Sequence, residues 1–345
     1  MFCIRRFRSV ATANILPIFT PRFTKRQRPT AEPDILDVLV CDEAHRLRAT
    51  AGNRYTPAAN RTGKSQIQEL IDASRCTVFF IDDKQVVRPD EVGSAALVRE
   101  AAKANKSPIY EIRLQAQFRC GGSDGFIQWV NNTLEIERTP TVLWNSAQQF
   151  EFKVMSSPEE LDAAIRDKLA AGNKARLMAG FCWPWSDPTP DGKLMDDVLV
   201  GDFRRPWNAK PDATHLAKGI PKSPLWAYEA GGENQVGCIY TAQGFEFDYA
   251  GVIFGADLVY RSGKGWVGQV SNSQDSVVKR SGEKFLDLVK NTYRVLLTRG
   301  MKGCYVYFAD KETEQFVRSR TERTVVEYPE RDEGLDRLAA EDTPT

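Results

Sequence analysis

The sequence predicts an α/β protein with mainly parallel sheets, on two observations. Short apolar runs of strand length alternate with longer helical patterns. Several of those runs are almost continuously apolar, as strands covered by helices on both faces must be. Strands are expected at ILDVLVC (35–41), CTVFFI (76–81), IYEIRL (109–114), KARLMAGF (174–181), GCIYT (237–241), YAGVIFG (249–255) and GCYVYFA (303–309). Helices are expected at 66–74, 94–104, 124–134, 158–171 and 280–298. The chain has 345 residues, enough for two domains.

Composition is that of a soluble globular protein, with 42% hydrophobic and 27% charged residues and a net charge of +1. Any nucleic-acid surface must therefore be local. Seven cysteines at 3, 41, 76, 120, 182, 238 and 304 form no C-x-x-C pair, and His45 and His215 are the two histidines. That pattern argues against a zinc site and a disulfide framework, and for a reducing, cytoplasmic setting. No apolar run reaches membrane-spanning length.

The ends differ from the middle. Residues 1–30 hold seven Arg or Lys and no acid, and are taken as a basic stub. Residues 316–345 end in YPERDEGLDRLAAEDTPT and are taken as an acidic, solvated tail. The polar segment around 145–157 places a domain boundary near 150, giving domains 31–150 and 151–315. Within the second, 183–235 is rich in Pro, Gly, Trp and Asp and is expected to be an ordered insertion. Trp183, Trp185, Trp207 and Trp226 suit either loop packing or base stacking, and packing is the commoner fate.

Gly63-Lys64-Ser65 spells the end of a phosphate-binding loop. Such a loop needs a buried strand before it and G-x-x-x-x-G-K-[ST] within it. Here the first glycine position is Ala58, and no strand precedes it. Ser65 and Gln68 instead form a helix capping pair, followed by an apolar stripe at Ile67, Leu70 and Ile71.

Chemistry is concentrated elsewhere. LVCDEAH (39–45) sets Asp42 and Glu43 at the carboxyl end of a buried strand, where open α/β sheets bind ligands. TVFFIDDKQ (77–85) ends in acids and Gln85. LQAQFRCGGSDGF offers Arg119 at a helix start, IYTAQGFEFDYAGVIFG offers Gly244 and Glu246 in a turn, and TYRVLLTRG offers Arg294 and Arg299. Each has a plain structural explanation when taken singly.

Their order resembles the motif series of superfamily 1 helicases, with Walker B in VLVCDEAH and later motifs in FFIDDKQ, QFRC, YTAQGFEFD and YRVLLTRG. More narrowly, DEAHRLR, FFIDDKQVVRP, QFRCGGSDGFIQWVN and LMAGFCWPWSD resemble the Schlafen-type DNA/RNA helicase-like domain family over about residues 33–312. The resemblance implies two RecA-like P-loop NTPase domains clamping ATP and Mg, acting on DNA or RNA, most readily single strands. It assigns Asp42 to the metal, Glu43 to the attacking water and Gln85 to the γ-phosphate. Arg119 and Arg299 become arginine fingers, and Gly244 and Glu246 contact the nucleotide or couple it to a strand.

One departure matters. The family's phosphate loop lies upstream of Walker B, yet the 38 residues before Leu39 contain no glycine. The first RecA-like domain is therefore expected to be incomplete, and the chain to be an ATPase inactive as it stands. The alternative is a non-catalytic nucleic-acid or protein binding module derived from such an ATPase.

Overall fold

The computed structural model describes residues 2–5, 34–50, 62–113, 119–145 and 150–321; for 2–5, Arg119 and Gly121 it describes the backbone alone. The α/β expectation holds. Strand β1 (Phe2–Arg5) is followed by β2 (Leu36–Cys41), β3 (Ser74–Phe79) and β4 (Ile109–Glu111), in the sheet order β2-β3-β1-β4. β2 and β3 are parallel, whereas β1 runs antiparallel to β3 and β4.

Two helices cover this sheet. α1 (Gln66–Asp72) starts where Ser65 accepts from the Gln68 amide, so Gly63-Lys64-Ser65 is a helix start. α2 (Ala95–Ala104) is capped likewise by Ser94. Ile67, Leu70, Ile71, Val98 and Ala102 then meet Leu39 and Phe79 in a small core.

A larger core surrounds the second sheet. α3 (Asp124–Thr133) precedes β5 (Glu151–Val154), α4 (Pro158–Ala170) and β6 (Ala175–Ala179). After the hairpin β7 (Val198–Val200) and β8 (Phe203–Arg205) come β9 (Val236–Cys238), α5 (Ile239–Ala242) and β10 (Phe247–Phe254). A second hairpin, β11 (Leu258–Arg261) and β12 (Gly265–Gly268), leads to α6 (Phe285–Leu297), β13 (Gly300–Phe308) and α7 (Lys311–Ser319). The order β5-β13-β10-β6-β9 is parallel throughout.

Every residue of β6 is buried, including Arg176, whose guanidinium donates to the carbonyls of Ala175, Trp226 and Glu229. α4 approaches so closely that a Cβ on Gly251 would lie 2.5 Å from Ile165 Cγ1. Phe126, Trp129 and Trp144 belong to this larger core, so α3 packs on the second sheet.

Two of the expected elements change at their ends. The strand read at 237–241 stops at Cys238, and Ile239–Ala242 turns into a helix that buries Ile239 and Ala242. The helix read from 280 begins at Phe285, because Gly282 adopts φ +59° and breaks the preceding turns. The insertion is ordered around its tryptophans. Trp207 and Trp226 are fully buried, and the indoles of Trp183, Trp185, Trp207 and Trp226 donate to the carbonyls of Leu199, Asn208, Pro184 and Gly232. Packing accounts for Trp207 and Trp226, while Trp183 and Trp185 are half-buried. The expected tail begins inside α7, where Val317 is buried, and its remainder from 322 to 345 lies outside the described residues, as do 6–30 of the basic stub.

Candidate nucleotide cleft

β2 and β3 stay zipped beyond their ends. The Phe80 amide donates to the Cys41 carbonyl and the Ala44 amide to the Phe80 carbonyl, each at 2.9 Å. Asp42 and Glu43 therefore emerge from the same sheet edge as Asp82 and Gln85. Gly93 presses on this turn, since a Cβ there would sit 1.7 Å from the Ala44 oxygen.

Glu43 adopts the left-handed region, at φ 51° and ψ 39°. For a non-glycine residue that costs about 1–3 kcal/mol and is typical of sites where geometry serves chemistry. Asp42 Oδ1 accepts from the Glu43 amide at 2.9 Å and stabilises the kink. The kink brings Glu43 Oε2 to 3.1 Å from Nε2 of the buried His45. Asp42 itself is exposed and could meet a hydrated cation through one carboxylate.

Asp82 organises the second strand end. Its carboxylate accepts from the Lys84 amide at 3.1 Å and from Gln85 Nε2 at 2.9 Å, and lies 3.5 Å from Arg294 Nη1. Burial works to raise the Asp82 carboxyl, but the Arg294 guanidinium and the Gln85 and Lys84 hydrogen bonds outweigh it and hold it below the ordinary range. Arg294 Nε also donates to Asn131 Oδ1 at 2.8 Å.

Three successive carbonyls of this segment are held from the second sheet's helices. Arg294 donates to Lys84 at 3.4 Å, Gln243 Nε2 to Gln85 at 3.0 Å and Asn291 Nδ2 to Val86 at 2.9 Å. Two residues on, the Arg88 guanidinium lies 3.8 Å from the Tyr240 ring centroid. The hydroxyl of Tyr240 donates to Asp275.

Arg299 is 2% exposed. Its Nη1 donates to the Gln243 carbonyl at 2.8 Å and to that of Phe245 at 3.5 Å, and its Nε to the Val295 carbonyl at 3.2 Å. It thereby clamps the turn holding Gly244 and Glu246, both exposed, to the end of α6. Gln85, Gln243 and Arg299 form one hydrogen-bonded chain, which adjoins Asp42 and Glu43 through the paired ends of β2 and β3. Arg119 opens a 3-10 turn at 119–122, but its side chain lies outside the described residues. Lys64 is engaged elsewhere: its Nζ pairs with Asp72 Oδ2 at 2.7 Å on α1.

Asp82, His45, Asn131 and Gln243 were not singled out from the sequence. Two had a local signal: Asp82 stands one 3-10 turn before Gln85, and Gln243 directly precedes Gly244. Asn131 had none, because its partner Arg294 is distant in sequence.

A five-stranded parallel sheet with its helices, beside two parallel strands that end in acids, fits a RecA-like P-loop fold. The chain belongs to the Schlafen group 3 DNA/RNA helicase domain family, whose match spans residues 12–310. It is also 24% identical over 312 residues to "Uncharacterized protein YPL245W" of Saccharomyces cerevisiae, covering 80% of this chain. The chain spans 63% of that relative's length. Among the described residues no helix is long and apolar enough to cross a membrane.

Proposed function

We propose that this chain is a superfamily 1 helicase-like module acting on DNA or RNA, in which the cleft between the two sheets is the nucleotide site. The observation that carries this reading is the chain of hydrogen bonds from Gln85 through Gln243 to Arg299. Residues from three separated motifs are joined there by direct contacts. The module is divided into two RecA-like domains, the first incomplete, and works in the cytoplasm on single strands.

ATP and Mg fit the cleft only in part. Asp42 would hold Mg through its water shell, and Glu43 would take a proton from the attacking water. Gln85 would report on the γ-phosphate, while Arg119 and Arg299 would stabilise its charge. When bound, ATP with Mg supplies the transferable phosphoryl group. Gly63-Lys64-Ser65 offers no phosphate cradle, since Ser65 caps α1 with its own oxygen and Lys64 is paired with Asp72. Among the described residues no group of three or more His, Cys, Asp or Glu could cage a metal.

That gap favours a second reading, a binding module that has kept the fold and dispensed with turnover. Titration of labelled single-stranded DNA and RNA at low and moderate salt tests both. Salt-sensitive binding is expected, because phosphate contacts release counterions. Absence of binding even at low salt would exclude the nucleic-acid module.

A further inference from the structure

β1 is the one reversed strand of the first sheet. It lies between β3 and β4 and opposes both, while β2 and β3 run together. The register sets Phe2 opposite Phe79 and Arg5 opposite Cys76. β3 leads at its carboxyl end to Asp82 and Gln85, so Phe2 marks the cleft edge and Arg5 the far edge. The carboxyl end of β1, at Arg5, is therefore turned away from the cleft. A strand that is to deliver a loop to Asp42 and Gln85 must enter this slot parallel to β3.

From this polarity we infer that the space between β3 and β4 is a strand-acceptor slot and that Phe2–Arg5 closes it in cis as a plug, with its carboxyl end turned away from the nucleotide cleft. The physical driving force is the pairing of backbone groups. Without an occupant, β3 and β4 each expose a row of amides and carbonyls, the template for strand addition by another chain. With β1 seated, both edges are satisfied by the molecule itself. The word "plug" rests on the nucleotide reading of the cleft. The seat of the strand does not, and the test is chosen to separate the two.

The register pairs Cys3 with Val78. Directly opposed residues of antiparallel strands have Cα atoms about 4.5–5.5 Å apart, inside the range that a disulfide bridges. Val78→Cys in the full chain, oxidised mildly and mapped by mass spectrometry, is expected to yield a disulfide between Cys3 and the introduced thiol within a monomer. Adding Cys3→Ser should abolish it. A disulfide between two chains would make a second copy the occupant and overturn closure in cis. Absence of any Cys3 link would overturn the register. Ile4→Pro supplies the second measurement, since proline cannot donate to a neighbouring strand. Amide exchange at 74–79 and 109–111 should rise about tenfold or more, with 247–254 and 300–308 unchanged. Unchanged exchange in the first sheet, or an equal rise in both sheets, overturns the plug. Neither readout depends on ATP or nucleic acid, so loss of the nucleotide reading would leave the strand's placement standing.

Discussion

The Gln243 side-chain amide donates to the Gln85 carbonyl oxygen at 3.0 Å, joining the turn after β3 to the end of α5. Both side chains are buried, with Gln85 5% and Gln243 2% exposed, so the bond forms away from competing water. Gln243→Leu should leave the Gln85 carbonyl without this donor and destabilise the fold by about 1–3 kcal/mol. The urea midpoint should fall accordingly. A change below about 0.5 kcal/mol would show that the contact does not bind the two sheets.

Arg299 is expected to matter for folding as well as for any chemistry. Arg299→Ala removes donors from the carbonyls of Gln243, Phe245 and Val295, and a loss of about 2–4 kcal/mol is expected. Thermal unfolding reads it directly. An Arg299→Ala variant with wild-type stability would mean that the arginine is held for the nucleotide alone.

Acid should loosen the contact between Asp82 and Arg294. The Asp82 carboxyl lies below its ordinary value of 3.8 in the folded chain. A depressed folded value contributes stability that is fully present above the unfolded value and lost as pH falls through the folded one. The stability difference between wild type and Asp82→Asn is therefore expected to be constant from pH 7 to about 5 and to shrink below about 4. A difference that grows on acidification would contradict the assignment.

Lys64→Ala should be nearly silent. The Lys64–Asp72 pair is on the surface, with the lysine side chain 54% exposed, and such pairs contribute about 0–1 kcal/mol. Nucleotide binding, measured with a fluorescent ATP analogue, should not change. Loss of binding on this substitution would make 59–70 the phosphate site and the α1 capping geometry incidental.

Turnover is expected to be absent from the chain as it stands, with or without nucleic acid, because Glu43 has no held phosphate to act on. Replacing residues 1–33 with the strand, phosphate loop and helix of a longer relative should restore hydrolysis, and appending the same segment ahead of an intact β1 should not. Glu43→Gln in the active graft should abolish turnover while sparing ATP binding. Phosphate release above background from the ungrafted chain would refute this reading.

Much of the fold was legible because its signals are local. The apolar run at 249–254 is continuous because both faces of its strand are covered, with Ala250 to Phe254 all buried. Ser65, Ser94, Ser123 and Ser157 each accept from an amide three residues on and so mark four helix starts. β5, the two hairpins and α7 were missed, since their short or charged segments gain their partners only from the folded chain. In the cleft, the acids at strand ends and Gln85 were visible as residue types, while the contacts that organise them were not.

By itself the sequence determined the α/β class, the order of the motif series and the absence of glycine before Leu39, because periodicity and composition need no knowledge of long-range contacts. Tertiary structure alone decided that Arg299 faces inward to clamp the Gln243–Phe245 turn, that Asp82 joins Gln85 to Arg294, and that β1 enters its sheet reversed. Each of these depends on groups far apart in the chain meeting in space, and on which backbone donors and acceptors remain to be satisfied once the core has closed.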